Sequence, residues 1–171
     1  MLETDRLILR RQRASDAAVV RQLWTERDPR VPPHRRIDAE GHPTVADIAA
    51  QIQESRRSPA PGLLTVERKE AADVIGYCGL VFNGNGSSDA PELAFELLRR
   101  VHDHGYATEA GLAVIVMAGE AGHRRLWATV WDWNIASRRV LEKLGFRDTG
   151  RVNLVTAHGR SLLTVRELSA R

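Results

Sequence analysis

A mixed central sheet flanked by helices is the fold class this sequence predicts, and three observations carry it. Short alternating apolar stretches recur as strands, and stretches of helical period interrupt them. The two kinds interleave without regular βαβ repetition. Three strands run consecutively in the middle, which argues against a doubly wound parallel sheet. At 171 residues the chain has the length to bury a core as one domain, 1–171.

Each element has a local reason. Residues 7–10, Leu-Ile-Leu-Arg, read as an opening strand. Ser15 is a candidate cap for a helix whose Val19, Val20, Leu23 and Trp24 fall at helical spacing. Residues 27–43 are rich in Pro, Arg and His without periodicity and read as a long loop. Thr44 with Asp47 resembles a capping box before the Val45, Ile48, Ala49, Ile52 stripe of an amphipathic helix. Strands are expected over 63–67, 74–82 and 92–98, the last two joined by a turn at Asn83-Gly84-Asn85-Gly86. Residues 108–121 are nearly all apolar and predict a well-buried helix. A strand over 126–131 follows. Asn134 then opens a short helix that turns Ala136, Val140, Leu141 and Leu144 inward and stops at Gly145. Two strands, 146–157 and 161–168, close the chain around a turn at His158-Gly159. The expected order is β-α-α-β-β-β-α-β-α-β-β.

Composition removes several function classes. The chain is 43% hydrophobic and 27% charged, which excludes wholesale disorder. The longest small-or-apolar stretch, 110–119, is too short to span a bilayer. The first residues carry acids early and no apolar run before a cleavage site, so a secretory signal is not expected and a cytoplasmic place is. A single cysteine, Cys78, excludes an internal disulfide framework and a cysteine zinc cage. Lysine occurs only at Lys69 and Lys143, so arginine makes up the rest of the 25 basic residues. These arginines are scattered rather than gathered in one stripe, so no nucleic-acid partner is expected. A phosphate-bearing small ligand needs only a few of them.

One segment combines a strand end, a glycine turn and a helix start: Leu97-Leu-Arg-Arg-Val-His-Asp-His-Gly105-Tyr-Ala-Thr-Glu-Ala110. Such a junction aims several unpaired amides, and the positive end of a helix dipole, at one spot suited to phosphate or pyrophosphate. Gly105 permits close backbone approach, and Ala107 keeps the next position small. A plain helix start with a loop glycine accounts for the same spacing. His102 and His104 form a two-histidine spacing without a third ligand, so no metal is expected.

Read together, Glu92-Leu-Ala-Phe-Glu-Leu-Leu98, Gly105-Tyr-Ala-Thr-Glu-Ala110 and Asn134-Ile-Ala-Ser-Arg-Arg-Val-Leu-Glu-Lys-Leu-Gly-Phe146 resemble the GNAT acetyltransferases. The likeness is greatest to the RimJ/RimL-type branch, whose usual first strand resembles Leu2–Arg10 here. That resemblance implies a GNAT-type mixed, mostly antiparallel central sheet flanked by helices. It also implies acetyl-CoA as co-substrate, with no metal and a primary-amine acceptor attacked directly in a sequential complex. The family sheet splays between its fourth and fifth strands, and pantetheine lies in the gap. On that pattern, backbone groups of Leu97, Leu98 and Arg99 meet the pantetheine amides. An N–H near Leu97 or Leu98 polarises the thioester carbonyl. The turn His102, Asp103, His104, Gly105, Tyr106, Ala107, Thr108 cradles the pyrophosphate. Here the chain departs from the family, which usually offers Arg or Gln, then Gly and Lys, before the glycine. Asp103 weakens the attraction for phosphate, and Arg99 or Arg100 could compensate.

Asn134 has two compatible readings, as N-cap to the Ser137 amide and, by the resemblance, as a partner of the pantetheine arm. No tyrosine follows Tyr106, so Ser137 is the candidate acid for the departing thiolate, with a cap-satisfied serine as the alternative. Glu96 and Glu92 share one strand face and are the candidate bases. Glu96 could instead attract a cationic acceptor or be an exposed strand carboxylate. Glu109 reads as a dipole-favoured carboxylate. The acceptor is a protein N-terminal α-amine or a small-molecule amine of the aminoglycoside or polyamine kind. A CoA-binding regulatory module without turnover is the competing class. The residues 27–43 loop, the second helix and the last hairpin would form the acceptor groove. Pairing of terminal strands between chains would give a homodimer.

Overall fold

The computed structural model describes residues 1–58, 62–82 and 91–168. Its strands are β1 (Leu2–Glu3), β2 (Leu7–Arg11), β3 (Leu63–Arg68), β4 (Asp73–Val81), β5 (Glu92–Leu97), β6 (Arg125–Trp131), β7 (Arg147–Thr156) and β8 (Gly159–Glu167). Its helices are α1 (Ala17–Thr25), α2 (Val45–Ser55), α3 (Tyr106–Glu120) and α4 (Ile135–Lys143). The strands form one sheet in the order β1-β2-β3-β4-β5-β6-β8-β7. Every neighbouring pair is antiparallel except β5 with β6. The expected mixed, mostly antiparallel sheet is therefore present, with β1 as an addition. At two residues, paired Leu2 to Leu9 and Glu3 to Ile8, that strand is too short to announce itself by alternation. The turn expected at Asn83-Gly84-Asn85-Gly86 lies outside the described residues.

The main core gathers the inward faces of the strands with α3 and α4, including Leu7, Val66, Ile75, Leu93, Val114, Leu126 and Leu144. A smaller cluster, Ala17 with Ile48 and Ile52, joins α1 to α2. The Thr44–Asp47 box is formed: Thr44 accepts from the Asp47 amide, and Asp47 accepts from the Thr44 amide at 2.7 Å.

Three local readings need correction. Ser15 does not cap α1. Residues Ala14–Asp16 form a 3-10 turn, and Asp16 stands at the helix start. The reason is a stronger competitor: the Asp16 carboxylate accepts from the Arg13 amide, the Thr65 hydroxyl and both terminal nitrogens of Arg10. In α3, Ala110, Gly111, Val114, Ile115 and Ala118 are buried, but Leu112 and Val116 lie exposed on the far side. An apolar composition does not make every face an inner one. In α4, Leu141 and Leu144 point inward as expected, whereas Ala136 is exposed.

Asp16 is 3% exposed, so its pairing with Arg10 is a buried one. Burial opposes its ionisation, yet the bonds from Arg10, Thr65 and Arg13 outweigh that and hold the carboxyl below its ordinary value. A lowered folded pKa means that the stability supplied is complete above the unfolded value and is lost as pH falls through the folded one. Asp16→Ala should cost about 3 kcal/mol or more, the scale of breaking a buried pair. Urea titration against pH should show the variant's acid limb flattened relative to the parent.

Candidate active site

The sheet fails to close at one place. β5 and β6 share a single register pair, Glu92 with Trp127, where the Trp127 amide donates to the Pro91 carbonyl at 3.0 Å. One step further, the Thr129 amide donates at 2.8 Å not to β5 backbone but to the Glu92 carboxylate, which also accepts from the Thr129 hydroxyl. Beyond that point the strands have no shared ladder. Register fixes which groups face the gap. The Leu98 amide donates to Ile75 on β4, so in β5 the alternate residues Phe95 and Leu97 direct their backbone groups towards β6. The Asp132 amide donates to Arg160 on the β8 side, so Thr129 and Trp131 face β5. Unpaired backbone within a sheet calls for a partner, and an extended amide-bearing molecule supplies one.

Past the open end of β5 lies the turn into α3. Gly105 precedes the helix with φ +79°, and no side chain caps it. The amides of Tyr106, Ala107 and Thr108 thus form an uncapped helix start fit for a phosphate. Asp103 also has positive φ, +62°, a conformation that Asp tolerates better than most residues. The turn is tied down from within. The His102 ring lies 2.9 Å from the Leu97 carbonyl, and the His104 ring 2.6 Å from the His102 carbonyl. Arg6 holds it from without, donating to the His104 carbonyl at 3.0 Å and stacking over Tyr106 at 4.5 Å. Glu109 binds Arg6 and the Thr4 hydroxyl, so it is a clasp between α3 and the β1–β2 connection rather than only a dipole carboxylate. Neither expected compensating arginine is unpaired: Arg99 bonds Glu26, and Arg100 bonds Asp73 at 2.8 Å. The Arg99 amide too is engaged, donating to the Glu26 carboxylate at 2.8 Å. Among the described residues no group of three or more His, Cys, Asp or Glu could hold a metal ion.

Glu96, two residues beyond Ala94 on the Glu92 face of β5, is in a different state from an unpaired base. Arg27 grips it with two bonds, Nε to Oε1 at 2.8 Å and a terminal nitrogen to Oε2 at 2.6 Å. The Tyr77 hydroxyl donates to Oε2 at 2.6 Å. Burial opposes the Glu96 charge, but Arg27 and then Tyr77 overcome it and keep the carboxyl below its usual value. Burial first, and the Glu96 charge second, push the Tyr77 hydroxyl well up. Arg27 also donates to the Arg35 carbonyl at 2.6 Å and lies over Trp24, so it ties the 27–43 loop to the strand. That loop and α2 border a surface cavity of about 460 Å³ lined by His34, Arg36, Asp38, His42, Asp47 and Gln51 among others. On the β6 side, Asn134 caps α4 through the Ser137 amide at 3.1 Å. The Ser137 hydroxyl stands in the first turn of α4, half-buried.

Glu92 and Glu96 therefore share a face, as expected, but carry different partners. Glu92 secures the fork of the sheet, and Glu96 the loop above it. The sequence reading missed Arg27, Tyr77 and Arg6. Arg27 and Glu96 are 69 positions apart, and no local pattern couples them. Glu96→Gln should leave the Arg27 guanidinium, only 7% exposed, without its counter-charge, and should cost about 3–5 kcal/mol. Replacing both, as Arg27→Met with Glu96→Leu, should recover most of that stability in chemical denaturation. A double variant no more stable than Glu96→Gln alone would mean that the pair is not coupled.

Residues 6–147 match the family described as the acetyltransferase (GNAT) domain. The uncharacterized N-acetyltransferase p20 of Bacillus licheniformis is 29% identical over 153 residues, covering 87% of this chain and 83% of its own. A GNAT-family acetyltransferase from Bacillus anthracis has the same fold, with a TM-score of 0.78 at 20% identity over 97% of both chains. yncA from Salmonella typhimurium, described as an acetyltransferase and solved with its cofactor acetyl-CoA, gives 0.74 at 16% identity over 96% of this chain and 95% of its own. A forked sheet, an uncapped glycine-led helix start beside the fork and a family match across most of the chain agree: this protein belongs to the GNAT family and is an acetyl-CoA-dependent N-acetyltransferase.

Proposed function

We propose that this chain, as one domain over 1–171, transfers the acetyl group of acetyl-CoA to a primary amine by direct attack within a ternary complex. The fork between β5 and β6, beside the uncapped start of α3, is the observation that carries this reading. When bound, acetyl-CoA supplies an activated thioester carbon. The Phe95 backbone and the Leu97 amide, which face the gap, would bond an extended pantetheine arm, the Leu97 carbonyl being engaged by the His102 ring. The Leu97 amide is the better oxyanion donor of the two expected, because the Leu98 amide is spent on Ile75. The turn His102–Thr108 offers backbone amides to a pyrophosphate and needs no side-chain cation to do so.

In the reaction the amine nitrogen bonds the thioester carbon, the carbon–sulfur bond breaks, and the amine gives up one proton while the sulfur accepts one. Ser137 is assigned the proton donated to sulfur, and Asn134 the orientation of the first turn of α4 that presents it. Glu96, held ionised by Arg27, positions the loop that receives the acceptor. Proton removal then falls to water at the fork. The likeness of residues 2–10 to the RimJ/RimL branch favours an α-amino group as acceptor, with small amines as the second arm of any screen.

Acetyl-CoA at millimolar concentration should raise the melting temperature, because a ligand bound only by the native state stabilises it. No shift would remove the functional reading. Gly105→Glu should abolish that shift while the chain stays folded, since it sets a side chain and a negative charge at a position of positive φ beside the helix start. Unchanged binding in the variant would move the phosphate site elsewhere. Thiol release from a panel of peptides and amines tests turnover. A thermal shift with no thiol release from any amine would favour a CoA-binding module.

A further inference from the structure

Residues 26–30 cross the open end of the fork. On the β5 arm, Glu26 accepts from the Arg99 amide and Arg27 grips Glu96. On the β6 arm, the Arg30 guanidinium lies 4.2 Å from the centre of the Trp133 ring. A local turn makes this second contact. The Val31 amide donates to the Asp28 carbonyl at 2.9 Å, and the Asp28 carboxylate accepts from the Arg30 amide and guanidinium at 2.8–2.9 Å. Arg30 is thereby folded back onto the indole.

Trp133 is a prepared surface. Trp131 stacks near it at 6.1 Å with planes 10° apart. Its edge is seated against the β7–β8 turn, where a Cβ on Gly159 would come within 2.7 Å of it. Its indole N–H is buried without a partner. Asp132, beside it, brings a second carboxylate, held by Arg160 at 3.3 Å. An aromatic face flanked by carboxylates is a cation site. The two arginines of the strap differ in how firmly they are held. Arg27 is 7% exposed and locked by the sheet, whereas Arg30 is 48% exposed and held by its own turn and one ring.

We propose that the Trp133 face, with Asp28 and Asp132, is a subsite for a second cationic group on the amine acceptor, and that Arg30 fills it in the free protein. This rests on the acetyl-transfer reading above. The acceptor is then an amine carrying an ammonium or guanidinium group a few bonds from the nucleophilic nitrogen. A diamine and a peptide with a basic second residue share that chemistry. Binding exchanges Arg30 for the acceptor's cation on the indole: Arg30, 48% exposed, turns to water, and its Asp28 partner passes to the incoming cation.

The test compares paired acceptors by thiol release: 1,4-diaminobutane against n-butylamine, and the tripeptide Ser-Arg-Ala against Ser-Gln-Ala. The quantity read is the ratio of kcat/KM for the dication to that for its partner. Arg30→Ala should raise the ratio about three-fold or more, the scale of one exposed cation–aromatic contact. Trp133→Leu should lower it, and Trp133→Phe should restore part of it. Preference within one pair alone identifies the source of the cation. Ratios unmoved by both Arg30→Ala and Trp133→Leu, in variants that still show the acetyl-CoA thermal shift, would overturn the subsite while leaving acetyl transfer intact. If the parent turns over no amine, the acetyl-transfer reading fails, and tryptophan quenching by 1,4-diaminobutane decides the subsite. Quenching stronger in Arg30→Ala than in the parent, and lost in Trp133→Phe, upholds it; equal or absent quenching in all three overturns it.

Discussion

The divergence of β5 from β6 governs this molecule, because a sheet cannot open in its middle without settling where its backbone bonds go. β4 and β8 hold the outer edges of the two strands through full ladders, so neither can drift to repair the gap. At the root of the fork a side chain takes the place of backbone: Glu92 accepts from Thr129 where a β5 carbonyl would stand in a closed sheet. That substitution ends the ladder cleanly rather than leaving it to fray. Past it, the groups that face the gap are backbone groups at fixed spacing, and they suit a ligand that itself resembles a strand.

The arginine-rich composition finds its explanation in the same frame. Side-chain bonds recur along the chain: Arg10 pairs with Asp16, Arg6 with Glu109 and Arg27 with Glu96, and Arg99 donates to the Glu26 carbonyl. Arg10 and Arg27 each spread two nitrogens across one carboxylate, a geometry that a lysine ammonium cannot match. These pairs fasten loops and helix ends to the sheet without adding apolar bulk beside a gap that must stay open. At those positions the choice of arginine over lysine follows from the two-nitrogen grip.

What the sequence disclosed and what it hid divide along one physical line. Features set by neighbours within a few positions were legible: the Thr44–Asp47 box, the Asn134 cap, the alternation of β5, and Gly105 before α3. Short-range competition was harder to judge. Ser15 looked like the cap of α1, but the Asp16 carboxylate, drawn inward by Arg10, takes the Arg13 amide ahead of a 3-10 turn, and no side chain caps the helix. Contacts between remote positions left no trace. Glu96 was visible as a strand carboxylate and candidate base, but whether it was unpaired or fastened depended on an arginine just past α1. The same holds for Glu92, whose partner lies on β6, and for Arg100, which Asp73 occupies.

The two sides of the fork rest on different kinds of contact, and that difference bears on how each half tolerates sequence change. The side towards α3 presents main-chain groups and a helix start, so its side chains can depart from the family pattern. The His102-Asp103-His104 turn shows this: its rings fold back onto the carbonyls of Leu97 and His102 and leave the amides of α3 uncapped. The strap across the fork is built from side-chain pairs, Arg27 with Glu96 and Arg30 with Trp133 and Asp28, each dependent on one particular partner. A change at Arg27 or Glu96 is felt in the sheet as well as in the loop, whereas Arg30, 48% exposed, can change with the sheet left as it is. The proposed function thus assigns specificity to the strap between α1 and α2 and to the residues that follow β6, and the chemistry to the opened backbone they cover.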